Sequence, residues 1–143
     1  MERHVINLPA MTVERPLSPH LQIYKPQITS VLSILHRATG VALSIGLFVL
    51  TWWLMAAASG PDAYDQFRRV ASSPVGVFFL MGWSYALFYH FCAGIRHLIM
   101  DTGRLFTIPE IYKGGYMVLA ASVVMTVIFW CLVLFKDSPW PHP

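Results

Sequence analysis

The sequence is poor in charge: only 12% of its 143 residues are charged, whereas 56% are hydrophobic. With a mean hydropathy of +0.56, the chain has too little polar surface to cover a soluble domain of this length. We therefore expect an integral membrane protein. The net charge of +3 comes without a basic run, which argues against a nucleic acid partner.

Cysteine is also scarce, and no targeting leader is evident. Cys92 and Cys131 lie in separate apolar runs without metal-site spacing, so we expect buried, inert thiols. Glu2 and Glu14 interrupt the N-terminal segment, which has no apolar signal core. We expect the chain to insert through its own spans, in the plasma (inner) membrane of a bacterium or, as the alternative, in the mitochondrial inner membrane.

Three apolar stretches are long enough to cross a hydrocarbon core about 30 Å thick, which takes roughly 20 residues. Ser73 and Pro74 suit the start of the second helix. Pro109 and the pair Gly114-Gly115 are expected to delay the third helix. The predicted spans are about 28–58, 74–101 and 115–135.

These spans predict an all-α membrane domain over 28–136, with a polar N-terminal arm over 1–27 at the interface and a short tail over 137–143. Orientation follows from the positive charges, which favour the cytoplasmic side. The N-terminus is therefore expected inside. The residues that carry this bias are Arg3, Arg15, Lys25, Arg104 and Lys113.

Two polar clusters interrupt the spans, one over 33–40 and the other over 90–101. Ionisable residues at membrane depth are costly and normally face a partner, a cavity or a cofactor. At 1.5 Å per residue, His90 lies about 16 Å from the end of the second span. His36 and Arg37 lie roughly 12 to 14 Å deep from the same side. Both clusters therefore occupy the inner half of the membrane, which predicts one shared site.

The spacing of the second cluster suggests a flat ligand. His90 and His97 are seven residues apart and share a helix face, with Gly94 between them. A glycine leaves room for a macrocycle against the backbone, and imidazole is a common axial ligand of haem iron. A hydrogen bond to a neighbouring helix is an equal alternative for such a histidine. The candidates to bind haem propionates are Arg96, His97, His36 and Arg37.

A haem with two histidine ligands would need a second subunit, because His90 is the one strong midplane histidine. Three helices are also few to enclose a porphyrin. Small residues on the first span suit close contacts with a partner helix. They are Gly40, Ala42, Ser44 and Gly46. We expect three transmembrane helices that form part of a two-subunit helical bundle.

Two segments resemble the signatures of the cytochrome b556 subunits of succinate dehydrogenase. The second reads His-x-x-x-Gly-[Ile/Val]-Arg-His-Leu-x-x-Asp over 90–101. The resemblance covers about residues 15 to 135, with three helices in the right order, and the two motifs together are highly specific. The first signature comprises Arg15-Pro16-Leu17-Ser18-Pro19-His20-Leu21, Ile23-Tyr24 and Ser33-Ile34-Leu35-His36-Arg37-Ala38-Thr39-Gly40.

This resemblance implies a membrane anchor of respiratory complex II, not catalytic on its own. In the family, a flavoprotein subunit oxidises succinate and an iron–sulfur subunit passes the electrons to quinone. A second small membrane-anchor subunit shares haem b and the ubiquinone pocket, within membrane lipid. Residue by residue, His90 matches the axial iron ligand, and His36, Arg37 and His97 match positions near the propionates. The positions that match quinone-site residues are Ser33, Ile34 and Arg37.

Two other functions compete with this interpretation. One is a haem-free structural anchor with a vestigial polar core. The other is a transporter subunit whose buried Arg and His side chains line a proton or anion path. A transport path would have to reach both membrane faces, and the outer half of the spans offers almost no polar lining.

Overall fold

The computed structural model describes residues 25–136, and within that range the chain forms four α-helices and no strand. Three of them are long and apolar enough to cross a membrane, which confirms the expected all-α membrane class. Most of the predicted N-terminal arm and the whole predicted tail lie outside the described residues. The helices are α1 (Ile28–Ser59), α2 (Pro61–Ala71), α3 (Pro74–Asp101) and α4 (Ile108–Lys136).

The short helix α2 was not predicted, because its sequence is polar and lies between two apolar spans. It has ordinary helix signals: Pro61 at its start, Asp62 in the first turn, and Arg68 and Arg69 in the last turn. Proline suits a first turn, and these charges complement the helix dipole. Its Phe67 ring packs edge-to-face against Trp52 of α1, with ring centroids 4.9 Å apart.

Helix α4 begins at Ile108, seven residues before the predicted third span. Pro109 lies in its first turn, where the missing N–H breaks no helical hydrogen bond. Gly114 and Gly115 lie inside the helix and are buried. A Cβ at Gly115 would lie 2.7 Å from the Leu32 side chain of α1. The two glycines therefore admit close neighbours and do not break the helix.

The core is small and lies where the three spanning helices meet. Tyr89 is only 1% exposed, and its hydroxyl donates to the Leu32 carbonyl oxygen of α1 at 3.0 Å. Trp130 of α4 donates its indole N–H to the Ser84 hydroxyl of α3 at 2.8 Å. The chain thus holds its helices together with few buried side chains, and most of its apolar surface faces outward. The core cluster is Leu32, Tyr89, Ala93 and Val118.

Two glycines that were expected to contact a partner helix contact the chain's own α3. A Cβ at Gly40 would lie 3.2 Å from His90 Cε1, and a Cβ at Gly46 would clash with the Trp83 indole. That expectation was therefore wrong for both glycines. The expectation of buried thiols was wrong for Cys131, which is exposed.

Candidate functional site

Three histidines from two helices form a cluster of imidazole rings. The His36 ring of α1 stacks on the His90 ring of α3, with centroids 4.1 Å apart and an interplanar angle of 24°. The His97 ring lies 5.1 Å from that of His36. His90 and His97 share a face of α3 because they are seven residues apart. The structure therefore brings together the three histidines that the sequence assigned to one shared site in the inner half of the membrane.

The hydrogen bonds of His90 fix its tautomer. Its Nδ1 lies 3.1 Å from the His36 carbonyl oxygen and 3.2 Å from Thr39 Oγ1. A carbonyl oxygen can only accept, so Nδ1 carries the proton and donates it. Thr39 directs its own hydroxyl proton to carbonyl oxygens of α1 at 2.9 Å. In the neutral ring the lone pair is therefore on Nε2, which is the arrangement that a metal ligand requires.

The surroundings of this cluster suit an acidic group. His36 Nε2 is buried and has no hydrogen-bond partner among residues 25–136. A buried ring nitrogen normally has such a partner. Arg37 follows His36 on α1 and is exposed, as is His97. Imidazole and guanidinium groups together form a donor set that fits carboxylates such as those of haem.

There is room beside His90 for a flat group. Gly94 lies one turn further along α3, and a Cβ at that position would meet no described atom within 4 Å. A haem that is bound through His90 Nε2 could therefore approach the α3 backbone at Gly94. The residues present fit this cofactor by ligand chemistry, by donor set and by space.

The His36 ring stacks on the His90 ring with centroids 4.1 Å apart. The two imidazoles are therefore too close for a haem bound through His90 to lie between them and take a second ligand from His36. In the described part of the chain, no group of three His, Cys, Asp or Glu side chains is placed to hold a metal ion. A second protein ligand would have to come from elsewhere.

The predicted quinone-site residues lie on α1 next to the histidine cluster. Ser33 and Arg37 are one turn apart and about 40° apart around the helix, so they share a face. Ser33 is half-buried and Arg37 is exposed. Ile34 is 64% exposed. This face is open to a small molecule or to another subunit.

Arg96 does not join the histidine cluster, so its expected role beside the propionates was wrong. It is only 7% exposed and lies against α4, where a Cβ at Gly114 would come within 3.4 Å of Arg96 Nε.

Sequence reasoning missed the role of Thr39 as an acceptor for His90. The signal was present, since Thr39 follows His36 by three residues and so lies near the same face of α1.

Residues 11–129 match the family model described as succinate dehydrogenase/fumarate reductase transmembrane subunit. The chain belongs to this family. The succinate dehydrogenase cytochrome b556 subunit of Rickettsia conorii is 46% identical over 118 residues, which cover 82% of this chain and 91% of that protein. The subunit of the same name in Paracoccus denitrificans is 42% identical over 114 residues, or 80% of this chain and 88% of that protein.

A relative of slightly different name has a similar level of coverage. The succinate dehydrogenase cytochrome b560 subunit of Reclinomonas americana is 37% identical over 134 residues, which cover 85% of this chain and 88% of that protein. These succinate dehydrogenase subunits confirm the resemblance that the two sequence signatures indicated. Their names describe them as b-type cytochromes, and the chemistry around His90 is compatible with such a cofactor.

Proposed function

We propose that this chain is the large membrane-anchor subunit of a succinate dehydrogenase, respiratory complex II. In this proposal it shares haem b with a second small anchor subunit and forms part of the site where electrons from succinate oxidation reach ubiquinone. The family match over residues 11–129 supports the anchor role. The two finer claims rest on the residues around His90 and Arg37.

The state of His90 is the observation that carries the haem assignment. Haem, when bound, supplies one-electron transfer. The chain supplies an imidazole whose Nδ1–H is held by His36 O and Thr39 Oγ1, so that Nε2 would be the nitrogen that binds the iron. His36, Arg37 and His97 bind the propionates in this proposal. Because the His36 ring is stacked on His90, a second protein ligand would come from the other anchor subunit in this proposal.

Ser33, Ile34 and Arg37 form this chain's share of the quinone site. A quinone needs hydrogen-bond donors at its carbonyl oxygens and an apolar slot for its ring. The Ser33 hydroxyl supplies a donor, and Arg37 supplies a fixed positive charge where negative charge develops on the quinone oxygen. Ile34 supplies an apolar wall. The face is open in this chain, which is the arrangement expected of a pocket that a neighbouring subunit completes.

The proposed partners are the second anchor, the iron–sulfur subunit, the flavoprotein and membrane lipid. A stripe of large apolar side chains on α1 is exposed and recurs at helical spacing. It offers a surface for another transmembrane helix or for lipid. The stripe consists of Ile34, Val41, Ile45 and Phe48. In this proposal the N-terminus lies in the cytoplasm of a bacterium, which the charge bias supports, with the mitochondrial inner membrane as the alternative location.

Replacement of Arg37 in the assembled complex tests the proposal. We expect Arg37→Ala to lower succinate:ubiquinone activity by about 100-fold or more, because a preorganised group at the reacting oxygen is lost. Succinate oxidation with an artificial acceptor should stay unchanged, since that route bypasses the membrane site. Arg69→Ala is the matched control, because Arg69 is an exposed arginine on α2, outside this site.

Each competing function gives a different result. If quinone activity survives in Arg37→Ala and Ser33→Ala, the chain is an anchor without a quinone role. If both variants block ion or proton flux across vesicles and leave quinone activity intact, the transporter interpretation replaces the proposal.

A further inference from the structure

A second polar site lies between α3 and α4, and the haem and quinone assignments do not involve it. It is a cavity of about 500 Å³. The charged side chains that line it are Arg96, Glu110 and Lys113, and the rest of the lining is mainly apolar.

Arg96 is the centre of this site because its charge is buried without a partner. Its side chain is 93% buried, and neither Nε nor Nη2 has a hydrogen-bond partner among the described residues. These two nitrogens form one edge of the guanidinium group, which can donate two parallel hydrogen bonds to a pair of oxygens. An unpaired buried charge is strongly unfavourable. The edge is therefore built to receive an anion with two acceptor oxygens.

The other charged groups of the cavity do not supply that anion. Glu110 Oε2 accepts hydrogen bonds from Thr107 N at 3.3 Å and Thr107 Oγ1 at 2.7 Å. Its carboxylate therefore caps the start of α4. Lys113 lines the same cavity and adds a second positive charge. With Glu110 included, the three charged side chains leave the cavity with a net positive charge.

The position of Arg96 along the membrane normal matches a lipid phosphate. Helix α3 has 28 residues and is about 42 Å long, about 12 Å more than the hydrocarbon core. If both ends protrude equally, Arg96 lies within about 2 Å of the inner edge of that core. Lys113 lies at the same level on α4 by the same estimate.

The remaining lining completes the match to a lipid. Deeper than Arg96, the cavity continues between the helices along apolar side chains that suit an acyl chain. A lipid with its phosphate at Arg96 would place its chain on this surface. These side chains are Cys92, Met117, Val118 and Ala121.

We propose that this cavity binds one glycerophospholipid. Arg96 Nε and Nη2 donate to two phosphate oxygens, Lys113 contributes a second charge, and one acyl chain lies along the α3–α4 groove. The site stands apart from the histidine cluster and does not depend on haem or quinone.

The test is a lipid titration of the whole complex after its lipid has been removed by detergent exchange. Phosphatidylglycerol is added, and the unfolding midpoint and the bound lipid phosphorus are measured. We expect a saturable rise in both for the unmodified complex. Arg96→Gln should raise the half-saturating lipid concentration about 10- to 100-fold, because a charge-assisted bidentate contact is lost. Arg104→Gln, at an exposed arginine on the same side, should titrate like the unmodified complex.

Two further additions to the same titration distinguish a lipid phosphate from free phosphate and from the acyl chains alone. Inorganic phosphate and diacylglycerol, each added alone, should not reproduce the effect; an equal response to inorganic phosphate would overturn the lipid assignment. An unchanged titration in Arg96→Gln would overturn the site itself. If Arg96→Gln prevents assembly, Arg96→Lys and Lys113→Gln take its place. A normal lipid response in both variants would show that neither the Arg96 guanidinium nor Lys113 holds the lipid, and the proposal would be wrong.

Discussion

The open space beside Gly94 leads to a prediction about haem binding. Gly94 and Gly82 are both in α3, and a Cβ at either position meets no described atom within 4 Å. Alanine would therefore clash with no described residue at either position. Because alanine has a higher helix propensity than glycine, each substitution should stabilise α3 by up to about 1 kcal/mol. The two substitutions should therefore be equivalent unless an external group lies against one of them.

Haem bound at His90 would lie against Gly94, one turn further along α3, and not against Gly82. A methyl group forced into a filled contact costs about 1–3 kcal/mol, which corresponds to about 5- to 150-fold weaker haem retention. The assay is haem content per assembled complex, with subunit stoichiometry measured on the same sample. We expect Gly94→Ala to lose haem with its subunits intact and Gly82→Ala to keep it. Equal haem content in the two variants would refute the placement of haem against Gly94.

Three further predictions concern contacts that the structure defines. Thr39→Val removes one acceptor from His90 Nδ1–H and so makes the imidazole a less basic ligand. We expect the haem reduction potential to rise by about 20–60 mV in a redox titration. An unchanged potential would contradict this. Gly46→Ala should destabilise the chain by about 1–2 kcal/mol in detergent unfolding, because the added methyl group displaces the Trp83 indole. A stabilised variant would contradict the close contact between Gly46 and Trp83. Tyr89→Phe should cost about 1 kcal/mol in the same assay, because it removes a 3.0 Å hydrogen bond to α1; no change would mean that the bond contributes nothing net.

Hydropathy predicted the spanning helices well because the bilayer sets their length. The first two predicted spans end within a residue of the observed helices α1 and α3. It failed for α2, whose polar residues carry no membrane signal although Pro61 and Asp62 are good helix starters. Sequence reasoning also failed for the start of α4, because the low helix propensity of glycine predicts a break at Gly114 and Gly115. At Gly115, the close approach of Leu32 explains the glycine.

The site was predictable where depth and helical face determine it. His36 and His90 were placed at similar depth by counting residues, and their rings are in contact. Arg96 could not be placed in this way, because only the packing of α4 against α3 decides which face of α3 is buried. The role of Thr39 depends in the same way on the register between α1 and α3, since a helical threonine usually bonds only to its own backbone.

The most direct test of the proposed function is a reduced-minus-oxidised absorption spectrum of the complex, purified through a tag on this chain. We expect a b-type α-band in the unmodified complex, and we expect His90→Ala to abolish it while all subunits remain present. His97→Gln should keep the band, because His97 is assigned to the propionates and not to the iron. A flat spectrum from the intact unmodified complex, or an unchanged band in His90→Ala, would contradict the haem assignment.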